Sequence, residues 1–219
     1  MRFLSRLLVF LLSISISLTA ILAAENLITR FPDIYVYEFN KTQVLDQIEL
    51  VYDEQELGDL ISNYLFEKTD EFQITAEYKG RELEVFSNLD QISMDKLRGT
   101  LNVHLLIALV SLLASAGMVY IMIRRGWKIY VRKAYNYALG IFSSFWVVIE
   151  ISYLTGSLAN IINRYISLGI NDNERVLGNL LNNGFLGDWI WFTLIASAVF
   201  MIAIRLVIWK FTKERRMFV

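Results

Sequence analysis

Residues 101–123 read LNVHLLIALVSLLASAGMVYIMI, 23 positions without one Asp, Glu, Lys or Arg. A bilayer core about 30 Å thick is crossed by about 20 helical residues. Lys96 and Arg98 stand before the run, and Arg124 and Arg125 close it. We read it as a transmembrane helix. Three further apolar runs occur at 7–24, 134–154 and 189–208, which makes four spans. The chain is 55 % hydrophobic over 219 residues, above the usual value for soluble domains. It has no Cys, so disulfide and thiolate chemistry are excluded.

Charge sets the expected topology. Arg2 and Arg6 precede the first run. Arg124, Arg125, Lys128, Arg132 and Lys133 lie between spans two and three, and Lys210, Lys213, Arg215 and Arg216 follow span four. Short loops rich in Lys and Arg stay in the cytoplasm. A multi-pass cell-membrane protein with both termini cytoplasmic satisfies all of these signals. Trp127, Tyr130, Tyr135, Tyr137, Trp189, Trp191 and Trp209 sit where interfacial aromatic belts belong. The run at 7–24 also resembles a signal peptide ending at Leu22-Ala23-Ala24, but it is long for one. A retained anchor over 1–24 is the favoured reading.

The segment 25–100 carries 17 acidic and 7 basic residues, a net charge of −10. Such a face disfavours nucleic acid as a partner. Ile34–Phe39 is rich in β-formers and reads as a strand. A short helix is expected over 42–51. Asp53 and Glu56 read as a capping pair before Leu57, Leu60, Ile61, Tyr64 and Leu65, which recur at helical spacing. The β-type runs 72–78 and 81–86 flank Lys79-Gly80 and read as a hairpin. Residues 89–99 read as a helix leading into span two. The expected fold class is therefore mainly α and membrane-embedded. Four transmembrane helices carry a small α+β extracytoplasmic domain between helices one and two. Between spans three and four, the loop 155–188 carries Leu158, Ile161, Ile162, Tyr165 and Ile166 at helical spacing, an amphipathic helix suited to the outer interface. A basic cytoplasmic tail occupies 209–219.

His104 lies one turn inside span two, and Glu150 lies about one turn inside the end of span three. Both fall at similar depth in the outer leaflet. Ionisable groups within a span are expensive and often functional. The two are the candidate catalytic residues, a base with its orienting partner. The alternative is an interhelical hydrogen bond that fixes packing. Arg164, with Arg175, offers charge to a phosphate or carboxylate head group, against ordinary solvated charge. Asp188, beside Trp189, is a candidate substrate contact and also reads as a helix-start residue. Arg205 reads as snorkelling to the interface. Asn171, Asp172, Asn173 and Glu174 lack the spacing of an EF-hand loop and read as a solvated turn. Asn40-Lys41-Thr42 fits a glycosylation acceptor. The sequence offers no phosphate-binding Gly loop, zinc spacing or nucleophile elbow, so neither metal nor cofactor is expected.

Two runs resemble a known family. Ser87-Asn-Leu-Asp90-Gln-Ile-Ser93-Met94-Asp95-Lys96-Leu97-Arg98 precedes span two, and Leu177-Gly-Asn-Leu180-Leu-Asn-Asn-Gly184-Phe185-Leu-Gly-Asp188 enters span four. Both resemble stretches of the bacterial integral membrane family called domain of unknown function 1461, which includes lipoprotein intramolecular transacylases. Its members have four spans, an outer domain after the first and a second outer loop after the third. The resemblance implies substrate-side positions at Ser93, Lys96 and Arg98. Ser93 stands in place of the family's His, and Lys96 in place of its Asp. It also implies transfer of an acyl chain from a lipoprotein's diacylglyceryl cysteine to the new N-terminus. The expected partners are membrane lipids, together with lipoproteins or another membrane protein. The competing expectation is a non-catalytic accessory or sensor protein whose acidic outer domain binds a partner.

Overall fold

A computed structural model describes residues 2–43, 53–78, 81–170, 172 and 175–213. The expected helix over 42–51 lies outside the described residues from 44 onward. So do Lys79-Gly80, Asn171, Asn173, Glu174, Arg215 and Arg216. The elements in chain order are α1 (Arg2–Arg30), α2 (Pro32–Thr42), α3 (Glu54–Leu65), β1 (Thr75–Tyr78), β2 (Arg81–Glu84), α4 (Asn88–Arg124), α5 (Lys128–Leu154), α6 (Ser157–Tyr165), α7 (Val176–Leu180) and α8 (Asn183–Thr212). Among the described residues, α1, α4, α5 and α8 are long and apolar enough to cross a membrane.

The spans extend beyond the apolar runs that announced them. The helix expected over 89–99 and the run 101–123 form one continuous helix of 37 residues, α4. At 1.5 Å per residue it is about 55 Å long, well beyond a bilayer core. The start of α8 also precedes the expected Trp189. Asn182 caps it, its Oδ1 accepting from the Gly184 and Phe185 backbone N–H groups at 2.7 and 3.2 Å. Asp188 therefore sits inside the helix rather than at its start.

The chain folds into two compact units. One comprises 1–25, 104–148 and 193–219. Here α1 is the most buried of the four spans. Val9, Leu12, Ile16 and Ala20 recur every three or four residues and are buried. Ser13 and Ser17 hydroxyls donate to the Ala134 and Ala138 carbonyls of α5, each at 2.9 Å. The Ser15 hydroxyl donates to the Ser111 carbonyl of α4 at 2.8 Å. Small hydroxyl side chains let helices approach closely and bond where no water competes. Arg132 and Tyr135 tie α5 to α8 through Thr212 and the Met201 carbonyl.

The other unit comprises 26–103 and 149–192. Its core joins Ile34, Tyr35 and Phe39 of α2 to Leu57, Ile61, Tyr64 and Leu65 of α3, all buried. Asp53 caps α3, Oδ1 accepting from the Gln55 N–H at 2.8 Å. The rings of Tyr64, Phe72 and Phe86 pack in a tilted series, with centroids 5.2 and 4.3 Å apart. The expected hairpin forms, β1 pairing antiparallel with β2 from Thr75↔Glu84 to Tyr78↔Arg81.

The α+β expectation for this segment is overturned. Ile34–Phe39 is helical, not a strand. Pro32 opens α2 at a position where its fixed φ suits a helix and its missing N–H costs nothing. The buried positions Ile34, Tyr35, Glu38 and Phe39 follow a helical period. Packing against α3 thus overrides the β-propensity of the individual residues. The two four-residue strands form a ribbon, not a sheet layer, on an otherwise helical unit.

Candidate functional site

Three polar clusters account for most of the residues that could carry chemistry. The first is built on the start of α4. Ser87 and Asp90 form a capping box: the Asp90 Oδ2 accepts from the Ser87 N–H at 3.1 Å and its hydroxyl at 2.8 Å, and Ser87 Oγ accepts from the Asp90 N–H at 3.2 Å. The other carboxylate oxygen takes the Arg175 guanidinium, from Nε at 2.9 Å and Nη2 at 2.6 Å. Asp90 is fully buried and Arg175 nearly so. Arg175 Nη1 donates to the Ser167 carbonyl at 2.6 Å, and Nη2 reaches Ser93 Oγ at 3.1 Å. The Ser93 hydroxyl lies 2.6 Å from the Ser167 carbonyl and 2.7 Å from the Leu89 carbonyl. Lys96 Nζ donates to Ser167 Oγ at 3.3 Å.

Ser167 and Gly169 lie against this guanidinium. Ser167 and Gly169 take left-handed backbone angles, φ 66° and 73°. A Cβ at Gly178 would lie 2.1 Å from the Gly169 carbonyl oxygen, so only glycine lets α7 close on this turn. Ser93 is thus the centre of a closed hydrogen-bonded network. Arg98 is also occupied: it pairs with Asp95 at 2.9 Å and lies 4.4 Å over the Tyr64 ring, whose hydroxyl donates to Asp95. Burial and that bond push the Tyr64 phenol up to about 12. Arg164 is exposed on α6.

The second cluster joins α2 to the first turns of α8. Lys41 forms an ion pair with Asp188 and lies 3.5 Å from the carboxylate of Glu38. Glu38 is buried against Gly184. Burial first, then the neighbouring Asp188, raises its pKa above the ordinary carboxylate value, while Lys41 opposes them. Asp188 raises the Lys41 pKa in turn. An aromatic wall adjoins: Tyr35 stacks on Phe185 at 5.4 Å, and Tyr37 meets Phe192 edge-on at 5.7 Å. The Trp189 indole donates to the Thr29 hydroxyl at 2.8 Å.

The third is a pair in the other unit. His104 Nδ1 lies 2.8 Å from Glu25 Oε2, both partly exposed. The carboxylate that meets the imidazole is therefore Glu25 of α1 rather than the expected Glu150, which is half-buried on α5. Sequence reasoning also missed Glu38, Lys41, Asp90 and Ser167. The Ser87-x-x-Asp90 spacing was available as a capping signal. The i, i+3 spacing of Glu38 and Lys41 was masked by reading that stretch as a strand.

Four long apolar helices, one of them threaded by inward serines, define a multi-pass integral membrane protein. Its particular architecture matches that of solved structures of the membrane integral lipoprotein intramolecular transacylase Lit from Bacillus cereus. One, carrying a histidine-to-arginine substitution, aligns with TM-score 0.73 at 13 % identity, over 98 % of this chain and 94 % of that one. A histidine-to-alanine form aligns with TM-score 0.67 at 12 % identity, over 95 % and 92 %. A further structure aligns with TM-score 0.68 at 13 % identity, over 96 % and 98 %. At such identities the likeness shows a shared fold. No family model and no curated protein matches the chain.

Proposed function

We propose that this protein is a divergent member of the transacylase family named above and moves acyl chains of lipoproteins or membrane lipids at the outer leaflet. The observation that carries the reading is the fold match, which covers nearly the whole of both chains. The basic loops support an orientation with both termini in the cytoplasm and with 25–100 and 155–188 outside. In the reaction, an amine attacks an ester carbonyl. A C–N bond forms, the glycerol C–O bond breaks, and a proton must leave the amine and reach the departing alkoxide.

His104 is the chain's single His and the residue suited to that task. With Nδ1–H donating to Glu25, Nε2 keeps a lone pair to accept the amine proton and return it to the alcohol. A carboxylate that holds the ring in this tautomer serves the same purpose as the third member of a hydrolase triad. Lys96, Arg164 and Asp188 are the proposed contacts for the polar part of the substrate; Ser93 and Arg98, engaged by Ser167 and Arg175 and by Asp95, are not, and Glu150 remains a proposed polar group of the outer leaflet.

One observation favours the second reading, a non-catalytic protein. Ser93, at the position of the family's His, is engaged by Arg175 and Ser167. Mass spectrometry of lipoprotein N-terminal peptides, with and without this protein, separates the two. A shift of one acyl chain from glycerol to the α-amine supports transfer; an unchanged pattern supports the accessory role.

A further inference from the structure

A cavity of about 440 Å³ lies between α1, α4 and α8, within the unit comprising 1–25, 104–148 and 193–219. Small-molecule sites range over about 300–1,000 Å³. Thr19, Ser115, Ala116, Tyr120, Ala203 and Phe211 are among its lining residues. Ser115, Ala116 and Ala203 are small where larger side chains would close the helices together. The lining offers a ligand little to bond. The Thr19 hydroxyl is donated to the Ser15 carbonyl at 2.8 Å, and the Tyr120 hydroxyl accepts from Arg124 Nε at 3.1 Å. From Ser115 to Ile123 the groove runs about 12 Å along α4, roughly the depth of one leaflet.

Its end near Tyr120 is basic. The Arg124 guanidinium lies 5.4 Å over the Tyr120 ring, so a cation is held directly on a lining residue. Arg125 and Lys213 stack nearby in sequence on Trp127 and Trp209. No Asp or Glu occurs in 120–133 or 203–213. We propose that this groove holds one acyl chain of an anionic phospholipid from the leaflet that the 124–133 loop faces, with its phosphate against Arg124. The apolar lining selects the chain, and the guanidinium selects the head group. This site is independent of the acyl-transfer reading and uses none of its residues.

The test is native mass spectrometry of the full chain in detergent, equilibrated with equal amounts of palmitoyl-oleoyl phosphatidylglycerol and phosphatidylcholine. The expected result is one retained phosphatidylglycerol per chain in preference to phosphatidylcholine. Ala203→Phe, which fills the groove from an exposed position, should lose it. Ile202→Phe, exposed and outside the lining, should keep it. Arg124→Gln should retain both lipids equally. If Ala203→Phe lowers the melting temperature, Ala116→Phe takes its place. Equal retention of the two lipids by the unaltered chain would overturn the proposal. So would undiminished retention by a folded groove-filling variant.

Discussion

Asp90 is a fully buried carboxylate whose charge is met by Arg175 and the Ser87 cap. Removing one partner of such a pair strands the other charge in a poorly solvating interior, at about 3–5 kcal/mol. Arg175→Met should therefore lower the unfolding free energy by about that amount. Asp90→Leu added to it should recover most of the loss, because no charge is then left alone. A small effect of Arg175→Met in chemical denaturation would contradict the burial described. Glu38 presents the opposite case. Its raised pKa means that the folded state holds the proton more tightly than the unfolded chain. Its contribution to stability is complete below the unfolded value near 4.5 and is lost as pH rises through the folded value. Lys41 faces it and tempers the loss, whereas the neighbouring Asp188 adds to it. Glu38→Gln does not titrate, so the melting temperature of the unaltered chain relative to this variant should fall steadily from acidic to neutral pH. A pH-independent difference would exclude the buried, proton-holding carboxyl.

Helix α3 shows what an element reveals through its pattern. Leu57, Ile61, Tyr64 and Leu65 are all buried, whereas Asp59 is exposed. Truncating a buried Ile to Ala costs about 2–5 kcal/mol. Ile61→Ala should lower thermal stability clearly and Asp59→Ala should not; equal shifts in a melting experiment would count against this packing. The element was legible because one face alternates cleanly and an Asp caps it. The hairpin was legible for a related reason: two β-rich runs flank a Gly. Helix α2 was not legible as a helix. Its Ile, Tyr, Val and Phe favour strands individually, and what selects the helix is burial of Ile34, Tyr35 and Phe39 against α3, which a local window does not contain. The serines of α1 carried no signal either, because a Ser in an apolar run reads as mild polarity until the facing carbonyls of Ala134, Ala138 and Ser111 are known.

For the whole molecule, each membrane span could be read because a long apolar run with at most one charge is a property of the run itself. The polar sites could not, because their partners lie far apart in sequence: His104 and Glu25 are separated by 79 residues, and Arg175 and Asp90 by 85. Reading neighbouring spans as partners led to Glu150, whereas the imidazole bonds to the first helix. The fold shared with lipoprotein transacylases and the paired His104 together underlie the acyl-transfer account. Its most direct test is tandem mass spectrometry of lipoprotein N-terminal peptides from cells that make the unaltered chain or His104→Ala, with folding of each verified by its melting curve. The account predicts an acyl group on the α-amine with the unaltered chain and its retention on glycerol with a folded His104→Ala. Acyl transfer that persists undiminished in His104→Ala, or no transfer by the unaltered chain, would contradict it.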